Sequence, residues 1–259
     1  MVPSVYRLKQ VRKVFPDGTV AVDEVTIDIQ PGERVSVIGP SGAGKTTLFR
    51  LLNATLRPTS GTLWFDALDL ETLSSRRLQR LRRRIGTVYQ QHNLVPQLRV
   101  VHNVLAGRLG RWSLPTALFS LISPRERAVA LGALAQVGIP EKLYTRTAHL
   151  SGGQQQRVAI ARVLVQDPDV ILADEPVASV DPTLGRTIIA LLVQLAEKHR
   201  KTLVANLHAV PLALDFFPRV IGFRHGRIAF DLPSAAVTEQ VLADLYAGMD
   251  TSPVLSGNS

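Results

Sequence analysis

The chain has 259 residues, of which 30 are Lys or Arg and 21 are Asp or Glu, a formal net charge of +9. Hydrophobic residues make up 46% and charged residues 20%, the balance of a folded chain rather than a disordered one. There is no cysteine, which excludes disulfides, thiolate metal sites and cysteine nucleophiles, and no apolar run approaches the ~20 residues that span a bilayer.

The opening MVPSVYRLKQVRKVF holds no apolar segment, so no signal peptide is expected. The first 30 residues read as strands: Val25, Ile27 and Ile29 alternate with Thr26 and Asp28, the period of a half-buried strand. The apolar run 34–38 (RVSVI) leads into a glycine-rich loop. A helix follows with Leu48, Leu51, Leu52 and Leu56 on one side, stopping before Pro58. Residues 61–65 read as a strand. From Leu70 to Ile85 the pattern predicts a basic helix, in which six arginines lie between Arg76 and Arg84. Leucines at helical spacing make these arginines a solvated face rather than a nucleic-acid or lipid patch.

After the strand 85–89, residues 91–150 carry no strand pattern and read as a mostly helical insertion, with a helix over 125–137 stopped by Gly138 and Pro140. Within it, the apolar LPTALFSLI (114–122) is expected to pack inside the helical part, with a surface for a partner as the alternative. The βα alternation then resumes: helix 153–166, strand 170–173, helix 183–199, strand 202–207 and a hairpin about His225-Gly226. The tail from Thr251 reads as mobile.

Strands alternating with helices imply a mostly parallel sheet covered on both faces. In such sheets ligands bind beyond the carboxyl ends of the strands. Four strand ends here deliver a glycine-rich loop, Gln90, the pair Asp174-Glu175, and His208 to one edge. The loop Gly39-Pro40-Ser41-Gly42-Ala43-Gly44-Lys45-Thr46 fits G-x-x-x-x-G-K-[ST] in full. Its glycines let backbone N–H groups wrap phosphate oxygens, Lys45 reaches the β and γ phosphates, and the Thr46 hydroxyl binds Mg²⁺. At the end of VILA, Asp174 would hold Mg²⁺ and Glu175 would orient or deprotonate an attacking water; the alternative is a pair capping a helix. Ser151-Gly152-Gly153-Gln154 opens a helix and makes a second anion site from backbone amides, a hydroxyl and the helix end. Two phosphate sites so far apart in sequence make sense across two chains that sandwich a nucleotide; the alternative is an ordinary cap by Ser151.

The phosphate loop, LSGGQ, the VILADE strand end, Gln90 and His208 together resemble an ATP-binding-cassette ATPase in order and spacing, over about residues 5 to 248. The resemblance implies an α/β fold: a P-loop NTPase (RecA-like) core with a mostly parallel sheet, an N-terminal antiparallel β subdomain and an inserted α-helical subdomain. It implies one domain over 1–250, with the core at about 1–90 and 158–250, the helical subdomain at about 91–157, and 251–259 as a flexible tail. It further implies that Phe15 stacks on adenine and that residues from Gly39 to Thr47 bind phosphates. Gln90 would contact Mg²⁺ and the attacking water, and Ser151 to Gln154 would meet the ATP of the other subunit. Asp174 would be the Mg²⁺ carboxylate, Glu175 the catalytic one, Ala178 to Asp181 the loop crossing the dimer interface, and His208 the contact to the γ-phosphate. Asp181 with Pro182 is also a good helix cap. Val180 stands where the family often has Leu, and Ala209 where many members carry an acidic or polar residue; neither removes an essential chemical group.

Passages at 103–113, 133–164, 173–182 and 206–214 resemble the ATPase subunit of bacterial phosphonate importers. That resemblance implies ATP and Mg²⁺ as cofactors, a homodimer, two membrane-spanning permease subunits and, indirectly, a periplasmic solute-binding protein. It implies a peripheral position at the cytoplasmic face of the cell membrane, with no nucleic acid as partner. Other cassette branches, importing polar amino acids or releasing lipoproteins, and a soluble cassette acting on nucleic acid, are the alternatives.

Overall fold

The computed structural model describes residues 4–247 except 123, 125 and 179. Arg125 at the predicted start of a helix, Ser179 in the predicted interface loop and the tail 251–259 therefore lie outside the described residues.

Strands β1 (Tyr6–Val14) and β2 (Val20–Ile29) pair antiparallel, with Tyr6 opposite Ile29 and Leu8 opposite Ile27. Val25, Ile27 and Ile29 are buried while Thr26 and Asp28 are exposed, as an antiparallel sheet with one wet face requires. β3 (Arg34–Ile38) runs into the glycine-rich loop, and α1 (Lys45–Leu52) follows it. β4 (Ser60–Phe65) and β5 (Leu68–Asp69) complete a four-stranded sheet in the order β2-β1-β4-β5. α2 (Ser75–Arg82) leads to β6 (Ile85–Tyr89). Then come α3 (Val100–Leu105), α4 (Leu114–Ile122) and α5 (Arg127–Gln136), and among the described residues no strand interrupts them. α6 (Gly152–Gln166), β7 (Val170–Asp174), α7 (Pro182–Lys198), β8 (Thr202–Asn206) and α8 (Val210–Phe216) alternate as predicted, apart from α8, which has no counterpart in the sequence reading. β9 (Arg219–Arg224) and β10 (Arg227–Pro233) form the hairpin, and α9 (Glu239–Tyr246) closes the described chain. The hairpin turns through His225 (φ 48°) and Gly226 (φ 77°), both left-handed, as a two-residue connection between twisted strands demands.

The larger sheet has the order β10-β9-β3-β8-β7-β6, parallel throughout except for β10. This is the expected α/β class with its separate antiparallel sheet. β7 and β8 are buried along nearly their whole length because both faces of the sheet are covered. Alternation sorts their side chains between two cores. Val170, Leu172 and Val204 join α1 and the N-terminal sheet, whereas Ile171, Ala173, Leu203 and Ala205 join the helices α3 and α5 to α8.

Three expectations are corrected. The first helix ends at Leu52 rather than reaching Leu56, because Ala54 turns left-handed (φ 58°) and Asn53 Oδ1 accepts the Thr55 amide at 3.0 Å. The basic helix starts at Ser75 rather than Leu70. Asp69 Oδ1 takes the Glu71 amide at 2.9 Å and its carbonyl takes the Thr72 hydroxyl at 3.0 Å, a local turn that competes with helix. Arg76, Arg77 and Arg80 do form a solvated face, while Arg82 donates to Ala54 O at 2.7 Å and Arg84 bridges Asp169 and Asp66. Finally, α4 is not packed inside the helical part along its outward side: Leu114 is 79% and Leu118 63% exposed, one turn apart.

A buried amide joins distant segments of the helical region. Asn103 Oδ1 accepts the Val95 amide at 2.8 Å, and its Nδ2 donates to Val95 O at 2.9 Å and to Thr147 Oγ1 at 2.8 Å. It thereby ties the segment after Gln90 to the segment before Ser151. Replacing Asn103 with Leu leaves these buried groups unpaired, and the expected loss is roughly 1–3 kcal/mol, read as a lower denaturant midpoint with unchanged slope.

Candidate functional site

The register of the large sheet fixes the site. Tyr89 pairs with Asp174, Asp174 with Asn206, and Asn206 with Val37, so four adjacent strands end on one line. Just beyond that line lie Gln90, Glu175, His208 and Gly39. The strand-end argument from sequence is thus met by the backbone.

The loop after β3 is shaped by close backbone approach. Gly39 has φ 149° and Gly44 φ 102°, and a β-carbon at either would come within 2.0 Å of a carbonyl oxygen, of Phe223 and Ala21 respectively. No residue with a side chain fits there. Lys45 is buried, and its Nζ donates to Gly39 O at 2.7 Å and Pro40 O at 2.9 Å. Burial pushes its ammonium below the usual lysine range, against the pull of the Glu175 and Asp174 charges. Ser41, Gly42 and Thr46 are exposed, so the outer rim of the loop is open; Pro40 and Thr47 are partly covered and Ala43 is buried. The first amides of α1 have no carbonyl ahead of them, which is what a phosphate needs.

Facing this loop are two carboxylates and an imidazole. Asp174 Oδ1 accepts from Asn206 Nδ2 at 2.8 Å. Burial, helped by Glu175, raises the Asp174 carboxyl above its ordinary value, and the Asn206 bond works the other way. Glu175 sits in the left-handed region (φ 50°), its amide donates to Asn206 O at 3.1 Å, and its Oε1 lies 2.7 Å from His208 Nε2. A non-glycine residue held there stores strain, a common mark of a working site. His208 is exposed, and Ala209 behind it caps α8 without a side-chain bond.

The other predicted residues fall around this centre. Gln90 is exposed at the same sheet edge and makes no side-chain hydrogen bond among the described residues. Phe15 is half-buried in the β1–β2 turn, with Lys13 Nζ 5.8 Å from its ring, and the start of β2 lies on the loop through Ala21. Ser151 caps α6: its Oγ accepts the Gln154 amide at 3.3 Å, and Gln154 Oε1 accepts the Ser151 amide at 3.1 Å. Ser151 and Gly152 face outward. The Leu184 side chain lies over Gly153, where a β-carbon would come within 2.6 Å, and Asp181 Oδ1 caps α7 through the Leu184 amide at 2.9 Å. Among the described residues no hydrogen bond or ion pair joins Ser151–Gln154 to the phosphate loop, to Asp174 and Glu175, or to His208. The glycine-rich loop and the Ser151 cap are thus not joined to each other within one chain.

Two residues near the centre were not foreseen. Asn206 is a polar residue directly after the apolar Leu203-Val204-Ala205 of its strand, a signal that could have been read. Tyr246 of α9 meets the Gly39 amide, which opposes the rise that burial gives its phenol; nothing local in the sequence marks it.

A cleft of about 480 Å³ opens on another side, lined by Tyr89, Arg82, Arg83, Arg111 and Arg162 among others, with no acidic residue. Gln166, at the far end of α6 from Ser151, lies on its wall and donates to Ile85 O at 2.8 Å.

The ABC transporter family matches residues 22–178 of this chain. A phosphonates import ATP-binding protein of Pseudomonas fluorescens is 48% identical over 241 residues, covering 93% of this chain and 91% of that protein. One from Pseudomonas aeruginosa is 50% identical over 234 residues, 90% of this chain and 88% of that protein. Among solved structures, a dimeric ATP-binding cassette in a post-hydrolysis state bound to ADP and Pi has a TM-score of 0.76 and 34% identity, covering 88% of this chain and 98% of that one. A Clostridium perfringens cassette described as part of an ABC transporter complex has a TM-score of 0.80 and 28% identity, covering 93% and 94%. A match over more than half of the chain, and relatives near half identity along almost all of it, mean that this chain belongs to the ABC transporter family as one of its ATP-binding cassettes.

Proposed function

We propose that this chain is the ATP-hydrolysing subunit of an importer of phosphonates or a related oxyanion, acting as a homodimer that sandwiches two ATP head to tail. The observation that carries the dimer is the separation of the two anion-binding faces. The phosphate loop with Asp174, Glu175 and His208 forms one half of a pocket, and the outward-facing Ser151 cap forms the other. The solute class is supported by the names of the relatives at 48 to 50% identity.

On this reading Lys45 leaves its own loop carbonyls to take phosphate oxygens, and the unpaired first-turn amides of α1 complete the cradle. Glu175 accepts the proton of the water that attacks the γ-phosphorus. His208 orients Glu175 through their hydrogen bond and turns toward the γ-phosphate when ATP enters. Phe15 carries the adenine, and Asp181 borders the interface beside the Ser151 cap. The donor set around Thr46, Gln90 and Asp174 is all oxygen, which fits Mg²⁺ held by one carboxylate, a hydroxyl and substrate phosphates. When bound, Mg²⁺ supplies neutralisation of phosphate charge. Phosphoryl transfer of this kind rests on positioning and charge rather than covalent chemistry.

The partners follow from the same reading. Two permease subunits dock on the arginine-lined cleft, whose charge suits an acidic segment, and the helical residues at about 91–157 act as the subdomain that moves. Among the described residues no helix is long and apolar enough to cross a membrane. On this reading the chain meets the membrane through these partners, at its cytoplasmic face. A periplasmic receptor supplies the solute.

The test is reconstitution of this chain with the permease and receptor encoded beside it. Methylphosphonate is expected to stimulate ATP hydrolysis and to accumulate in vesicles, and glutamine is not. Stimulation by glutamine and not by phosphonate overturns the solute class.

A further inference from the structure

The carboxylate pair at the end of β7 is gripped by the end of β8. Asn206 is fully buried. Its side chain donates to Asp174 Oδ1 at 2.8 Å, and its carbonyl accepts the Glu175 amide at 3.1 Å. Two residues further on, His208 meets Glu175 at 2.7 Å. The register makes this possible, since Asp174 and Asn206 are direct partners across the parallel pair.

An amide at this position needs a reason. Burying one is costly unless it is bonded, and Asn206 Oδ1 has no partner among the described residues. A half-satisfied amide is a poor way to stabilise a strand whose preceding three residues, Leu203, Val204 and Ala205, are buried and apolar. The chemistry at Asp174 is a better reason. A carboxylate can only accept, so the side-chain N–H of Asn206 is what faces it. That donor fixes the carboxylate without neutralising it, as a lysine would, and without repelling it, as an aspartate would.

We propose that Asn206 is a positioning residue for the cation site: by occupying Oδ1 it sets the orientation of Asp174 and leaves the second oxygen for the divalent ion beside the phosphate loop. This rests on the reading of Asp174 as the cation's carboxylate. Outer residues that orient a metal ligand characteristically matter about 10–100-fold in metal affinity.

The experiment is Mn²⁺ binding to the full chain in the presence of a non-hydrolysable ATP analogue, read by electron paramagnetic resonance, with analogue affinity also measured in EDTA. N206L, of similar size but without a donor, is expected to bind Mn²⁺ about 10–100-fold more weakly while its metal-free affinity for the analogue is unchanged. N206S, whose shorter hydroxyl falls short of Asp174, is expected to weaken Mn²⁺ in the same direction and serves if N206L does not fold, as judged by thermal melting. D174N is the reference. Weakened binding in D174N with unaltered binding in the folded Asn206 variants overturns the positioning role alone. Unaltered binding in D174N overturns the reading of Asp174 and, with it, the proposal.

Discussion

Replacing Glu175 with Gln is expected to lower the rate of phosphate release by about 10²–10⁴-fold, the usual worth of a positioned general base. ATP binding is expected to persist, because on the proposed reading the phosphate contacts come from the loop and from α1, which this change leaves alone. With hydrolysis blocked, the paired form has no route to reopen, and a species of twice the chain mass is expected in gel filtration with ATP and not with ADP. Gln keeps the size of the side chain and an oxygen for His208, which lies 2.7 Å from Glu175 Oε1 in the unaltered chain. A loss of turnover therefore reports the missing proton acceptor rather than a disturbed fold. Turnover close to that of the unaltered chain removes Glu175 from its assigned role.

Replacing Lys45 with Met is expected to act earlier, on nucleotide binding itself. Charge-assisted hydrogen bonds to phosphate are worth about 1.5–3 kcal/mol each, so ATP affinity is expected to fall at least roughly tenfold, measured by calorimetry in the absence of turnover. The two bonds from Lys45 to Gly39 O and Pro40 O complicate the sign in a useful way. Without them the loop loses two internal ties, so the free form of the variant is expected to melt earlier as well. Unchanged ATP affinity counts against the loop assignment, whatever the melting temperature does.

Much of this site could be read from the letters alone because its chemistry is local. A short apolar strand followed by Gly39 to Thr46 and a leucine-bearing helix specifies strand, loop and helix together, and VILA followed by two acids specifies a strand end. The sheet rule places Gln90, Asp174, Glu175 and His208 at one edge, and the register bears that out for the backbone. What was missed depends on partners remote in sequence. Asn103 is bound by Thr147, and Tyr246 reaches back to Gly39; no window of neighbouring residues contains both members of such a pair. The boundary errors have a different origin. Asn53 and Asp69 bond their own backbone two residues on, and that small local preference outweighed a hydrophobic period that would have continued the helix. The exposure of Leu114 and Leu118 has no local signal either, since an apolar helix looks the same whether a neighbour covers it or not.

Helix α6 begins at the Ser151 cap and ends at Gln166 on the wall of the arginine-lined cleft. Its 15 residues make an unbroken rod of about 22 Å. A rod has no joint at which displacement can be absorbed. Tilting one tip by a given angle swings the other by the same angle, so in the proposed dimer the leverage between a docked partner and the opposite protomer's nucleotide is set by the length of this one element and by where it pivots against the sheet.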